Sequence, residues 1–248
     1  MKRSLLLSAF ALFVTVQTFA QLFPKKDSNS PSITSKLDKF IKQSKSGGSL
    51  TNDQVVAGLK EALTVGTERG TKMVSAPDGF FANAAIKVLM PEEAKKVEKT
   101  LRSVGLGKQV DDAILSMNRA AEDAAKSATP IFVNAVKQMS FQDAMGILKG
   151  ADNAATGYLQ SKTTPQLTEA FRPVIEESLK KVDATKYWNT VFSSYNKFSK
   201  EKVNTDLSAY VTEKALSGIF VQLAEEEKKI RKDPMARTTD ILKQVFGK

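Results

Sequence analysis

The sequence predicts an all-α fold, a single multi-helix bundle of about eight to ten helices following a cleaved signal peptide. Three observations carry that expectation. Beyond residue 50 the apolar residues recur at three- and four-residue spacing, and nothing reads as a sheet. Helix-start signals (Ser, Thr or Asp, or an early Pro) stand before most of these runs. An Ala-rich stretch, Lys108 to Lys162, supplies the small side chains that let helices approach closely, as they do at the middle of a bundle.

The chain starts with MKRSLLLSAFALFVTVQTFA, in which Lys2 and Arg3 precede an apolar run from Leu5 to Val16 and the small residue Ala20 closes the segment. This is the pattern of a secretory signal peptide, cleaved after Ala20, and the run is too short to span a bilayer comfortably. Residues 21–49 are rich in Pro, Ser, Lys and Gly and read as a flexible linker around one short helix, Ile33 to Ile41. The helical domain occupies 50–248, and no later segment is apolar enough to cross a membrane.

Thr51 and Gln54 form a capping box, and a helix runs from there to about Val74 on Val55, Leu59, Ala62, Leu63 and Met73. On the same helix Gly58, Ala62, Gly66 and Gly70 recur every four residues. Each Gly costs about 1 kcal/mol of helix propensity against Ala, so the stripe implies another helix crossing at short distance. Pro77-Asp78-Gly79 is a turn, Phe80-Phe81 follows in a loop, and Ala84 to Met90 is a short extended piece or one helical turn. Pro91 with Glu92 and Glu93 opens a helix to Val104, closed by Gly105 and Gly107.

The central helix spans Gln109 to Ser127, burying Val110, Ile114, Met117, Ala121, Ala124 and Ala125. Thr129-Pro130 begins the next, to Met139. Ser140 and Asp143 form a second capping box leading to Gly150. Asp152 begins a short helix through Tyr158, and Thr164-Pro165 begins another that Pro173 interrupts. Asp183 caps an aromatic helix bearing Tyr187, Trp188, Val191, Phe192, Tyr195 and Phe198, read as core. A long amphipathic helix covers Asp206 to Lys232, and a last one after Asp233-Pro234 docks Ile241, Leu242, Val245 and Phe246.

Composition excludes more than it assigns. With no Cys and no His there is no disulfide framework, no thiol or imidazole catalysis and no zinc site of the usual ligands. No cofactor is expected. The net charge of +10 would suggest nucleic acid in a cytoplasmic protein. For an exported one an anionic envelope component is the better match, and since the lysines are dispersed among acidic neighbours, solubility is the plainer explanation. Nucleic acid is not expected.

The segments DDAILSMNRAAEDAA, PIFVNAVKQMSFQDAMGILKGADNAATGYL, FRPVIEESL and AEEEKKIRKDPMARTTDILKQVF resemble an uncharacterised exported bacterial family, domain of unknown function 4197, over about Leu50 to Phe246. The resemblance implies a predominantly helical fold behind a signal peptide. It implies no activity.

Two groups of residues are candidate sites. Asp111, Asn118 and Glu122 lie near one helix face, with Arg119 adjacent. Such oxygens suit a hard cation or other ligand, or half of a paired-carboxylate site. The plainer alternative is a structural network tied by Arg119. In AEEEKKIRKDPMAR the glutamates precede Lys228, Lys229 and Arg231 at helical spacing, as on a solvated face. Should a glutamate turn inward, Glu226, Arg231 and Arg237 are the structural ion-pair candidates. Phe80-Phe81 is open between an exposed aromatic loop and core. No residue is assigned a catalytic role and no metal site is expected.

The functional expectation is therefore an exported, non-enzymatic binding or interaction protein of the periplasm or cell envelope, with lipid or another envelope component as partner and an apolar or amphipathic ligand held between helices. The alternative is a carboxylate-based hydrolase of an envelope polymer, testable by whether two carboxyls face one another in a cleft.

Overall fold

In the computed structural model, residues 51–200 and 202–232 are described, and all belong to one unit spanning 49–248. The leader, the linker, the helix at Ile33 to Ile41, Arg237 and the C-terminal helix lie outside the described residues. Eight α-helices and one 3-10 turn make up the described chain, with no strand among these residues.

Helix α1 (Asn52–Ser75) starts where its capping box requires: Thr51 Oγ1 accepts from the Gln54 N–H, and the Gln54 side chain accepts from the Thr51 N–H. Its Gly/Ala stripe is buried along its length. A β-carbon on Gly70 would stand 2.7 Å from a methyl of Leu223, and one on Gly66 would stand 3.5 Å from Ile230. Both partners lie on α8 (Leu207–Lys232), so the small residues do serve a close helix crossing.

After α1 the chain turns through Asp78, which has positive φ (66°), and Gly79, where a β-carbon would lie 2.4 Å from the Met73 carbonyl oxygen. Of the stretch Ala84 to Met90, residues 84–86 form a turn, with the Ile86 and Lys87 amides donating to the Asn83 carbonyl, and residues 87–91 then run without regular structure. Pro91 stands just before a 3-10 turn, Glu92–Ala94, rather than within the first turn of an α-helix, and α2 (Lys95–Ser103) follows. Gly105, with φ of 85°, ends it; Gly107 opens the next helix instead of closing this one.

Helix α3 (Gly107–Ala125) buries every residue of its anticipated stripe, and adds Asn118, Ala120 and Glu122. Four of its alanines, with Ala128 beyond, are wholly inaccessible, which lets α3 pack against α1, α6 and α8. Helices α4 (Ala128–Gln138) and α5 (Phe141–Lys149) follow; α5 carries the Ser140/Asp143 capping box, with Ser140 Oγ accepting from the Asp143 N–H at 3.1 Å.

The largest departure from expectation comes next. A single helix, α6 (Ala154–Lys181), runs through both Pro165 and Pro173, where two short helices and an interruption were anticipated. Both prolines are exposed, as are Ser161 and Glu169, whose carbonyls lose their amide partners, so water can satisfy them. Meanwhile Ala155, Leu159, Thr163, Leu167, Phe171, Ile175 and Leu179 stay buried at an unbroken four-residue spacing. Each step of four advances about 40° beyond a full turn, so the buried stripe winds around α6. One helix can thereby contact α3, α4, α5, α7 and α8.

Asp183 precedes α7 (Ala184–Phe198) in the left-handed region (φ 54°) and makes no side-chain cap, although its position was anticipated. The aromatics of α7 are not all core. Trp188 and Phe192 are buried, but Tyr187 is 64% exposed and Phe198 90%. Helix α8 then crosses α1, α3 and α6 to complete the bundle.

Candidate functional site

The anticipated polar row on α3 divides in two. Asp111 is an exposed residue at the other end of the helix, paired with Arg102 at 2.8 Å, and does not join the others. Asn118 and Glu122 are buried and face the segment that leads from α1 to α2. The Asn118 amide serves as a substitute strand edge: its Oδ1 accepts from the Val88 N–H (2.9 Å) and its Nδ2 donates to the Val88 carbonyl (2.7 Å) and to that of Ile114. One side chain satisfies both main-chain groups of a residue that no strand pairs.

Glu122 performs the same service one turn on. Its Oε1 accepts from the Phe80 and Phe81 N–H groups at 3.1 and 3.2 Å, and its Oε2 from Arg119 at 2.6 Å. Arg119 also reaches Asp78 at 2.6 Å, and these two carboxylates hold its guanidinium pKa above the usual range, the Glu122 hydrogen bond first. With its amide held, Phe80 is wholly buried and Phe81 half-buried, so the pair belongs to the core rather than to an exposed loop.

The acidic run of α8 is a correction of the solvated-face expectation. Glu226 and Glu227 are both buried. Glu227 caps the start of α6, accepting from the Ala155 and Thr156 N–H groups (2.9 and 2.8 Å), the Thr156 hydroxyl and Arg231. A carboxylate there meets the amides that the first helical turn leaves unbonded. Arg231 bridges on to the Ile147 carbonyl. Glu226 pairs with Lys229 at 2.8 Å. Of the named candidates, then, Glu226 and Arg231 are in ion pairs, and Glu227 is the member that sequence reasoning missed. Among the described residues no group of three or more acidic side chains is placed to hold a metal ion.

A sizeable opening lies elsewhere. A groove of about 670 Å³ runs between α2 and α7 over a floor of α3. Val97 and Leu101 of α2, Val110, Ala113 and Met117 of α3, and Val191 and Phe192 of α7 line it. Charged groups, Glu98 and Asp112, are few. At its margin Leu106, Val182 and Tyr187 are exposed. Beside it a second compartment of about 580 Å³ is lined by Lys87, Glu92, Glu93, Glu213 and Lys214 with Tyr210. Met90 and Trp188 line both. Sequence reading missed the groove; the signal available was the pair Val97 and Leu101, one turn apart on a helix too short and charged to bury them alone.

A family model described as Protein of unknown function (DUF4197) matches residues 49–247. No curated protein and no solved structure matches the chain.

Proposed function

The chain belongs to the family of proteins of unknown function DUF4197, and from that premise we propose that it is an exported, non-enzymatic binding protein of the cell envelope that holds an apolar or amphipathic ligand between α2, α3 and α7. The observation that supports this reading is the apolar groove. Its volume of about 670 Å³ falls within the range of ligand pockets, and its walls are hydrophobic with few polar groups. No helix among the described residues is long and apolar enough to cross a membrane, so these exposed apolar side chains do not belong to a membrane-spanning helix. Export rests on the leader at residues 1–20.

The carboxylate hydrolase would need Glu122 or Asp111 to face a second carboxyl across a cleft. Glu122 spends its oxygens on Phe80, Phe81 and Arg119, and Asp111 is paired with Arg102. No observation favours that alternative.

Native mass spectrometry of protein purified from the envelope fraction tests the binding reading. A co-purified apolar or amphipathic mass is expected, lost in Ala113→Phe, which fills the floor of the groove. Protein that is persistently free of ligand would overturn it. The same spectrum tests export, since the mature chain is expected to begin at Gln21.

A further inference from the structure

The two compartments beside Trp188 differ in chemistry and share a wall. The first is apolar. The second is lined by both signs of charge, Lys87 and Lys214 against Glu92, Glu93 and Glu213. Trp188 stands at the boundary and is oriented for it: the indole lines the apolar groove, while its N–H donates at 3.0 Å to the Asn204 carbonyl, a residue of the polar compartment. Its ring lies nearly parallel to that of Tyr210 (14° between planes), whose hydroxyl donates to the Leu89 carbonyl on the polar side.

Resting on the binding role proposed above, we propose that the ligand is a zwitterionic single-chain phospholipid, its acyl chain in the apolar groove and its headgroup in the polar compartment, with the glycerol region passing Met90 and Trp188. The groove is a single opening of about 670 Å³, a size that suits one acyl chain. The headgroup assignment follows from charge complementarity. Phosphate would meet Lys87 and Lys214, and ammonium the glutamates, with Glu92 and Glu213 exchanging their present exposed partners Lys95 and Lys214. The lysine ends are placed to turn toward a ligand: Lys87 Nζ lies 3.9 Å over the Phe81 ring, and Lys214 Nζ lies 3.8 Å from Glu213, both contacts at half-buried or exposed positions that exchange cheaply. The carboxylates act on this compartment already. Burial first, and then Glu213, Glu93 and Glu92, push the Tyr210 phenol up to about 12. In a chain of net charge +10, a local excess of acid is the feature that separates a zwitterionic head from a purely anionic one.

Trp188 is the only tryptophan, so its fluorescence reports on both compartments. The test titrates the purified protein with three amphiphiles of identical bromine-substituted chain below their micellar concentrations: a lysophosphatidylethanolamine, the free fatty acid and the monoacylglycerol. Bromine quenches the indole on contact. All three are expected to quench, the zwitterion at a concentration at least tenfold lower than either other. The variant pair Lys87→Gln with Glu213→Gln is expected to bring the zwitterion within twofold of the monoacylglycerol. Equal binding of all three, or tightest binding of the fatty acid, overturns the headgroup assignment and leaves the groove intact. Absence of quenching by any of the three overturns the binding role itself.

Discussion

Replacing Glu122 by glutamine changes no shape and one hydrogen-bonding group, which makes its cost calculable. The carboxylate serves two masters: the Phe80 and Phe81 amides on Oε1 and a guanidinium on Oε2. A carboxamide can accept on one side only. If its NH2 faced the Phe80 and Phe81 amides, one buried and one part-buried donor would lose their acceptor, at about 1–3 kcal/mol each. If it faced Arg119, the ion pair would be lost, but Arg119 is 41% exposed and keeps Asp78. The second arrangement therefore wins. What remains is two hydrogen bonds to a neutral acceptor in place of a charged one, plus a discounted ion pair, for a total of about 2–3 kcal/mol. Glu122→Ala removes the acceptor altogether and is expected to cost about 4 kcal/mol or more. Urea denaturation followed by circular dichroism measures both, and amide hydrogen exchange at Phe80 and Phe81 is expected to accelerate in step. A glutamine variant within about 0.5 kcal/mol of the parent, or an alanine variant no worse than the glutamine one, would refute the reasoning.

Three further outcomes are expected. Gly218→Ala places a β-carbon 2.4 Å from the wholly buried Phe80 ring, so it should cost about 2–3 kcal/mol by thermal denaturation; an unaffected melting temperature would mean the ring is free to move. Glu227→Gln turns one acceptor at the start of α6 into a donor facing donors, and should cost about 2–4 kcal/mol in urea while Glu225→Gln, on the exposed side, costs almost nothing. The Asp143 carboxyl is held below its ordinary 3.8 by the Ser140 hydroxyl first and the Ser140 N–H second. A depressed carboxyl contributes stability that is fully present above the unfolded value and is lost as pH falls through the folded one. NMR titration should show Asp143 below 3.8 in the parent and higher, yet still below 3.8, in Ser140→Ala, which removes the hydroxyl and keeps the main-chain N–H of residue 140, with the acid-side loss of stability correspondingly smaller in that variant.

What could be read from the sequence was what neighbours in sequence decide. Both capping boxes are three-residue events, and each forms as written. The glycine stripe on α1 announced a close crossing because glycine inside a helix has a cost that only packing offsets. Prediction failed where the deciding partner lies far along the chain. The Glu225–Lys229 region looks solvated by the spacing rule of its own helix, yet Glu227 is claimed by amides 72 and 71 positions away. Phe80-Phe81 stayed open between loop and core because nothing near the pair reveals that Glu122, 42 positions on, holds the Phe80 amide. At Pro165 and Pro173 the local rule was sound, but a stripe buried above and below outweighed two exposed unpaired carbonyls. The groove is harder still, since three separate helices each contribute a piece and no one of them is unusual.

The winding stripe of α6 has a consequence for how this protein tolerates change in length. A helix whose partners all lay along one line could lose a residue and suffer only on the far side of the loss. Here the buried stripe of α6 winds around the helix and five helices pack against it, so deleting one residue between Leu159 and Phe171 would swing everything beyond it by about 100° and present the later neighbours with the wrong side chains at once. The shaft is in effect a coded key, cut at successive angles, and its length is as much a part of the fold as its composition.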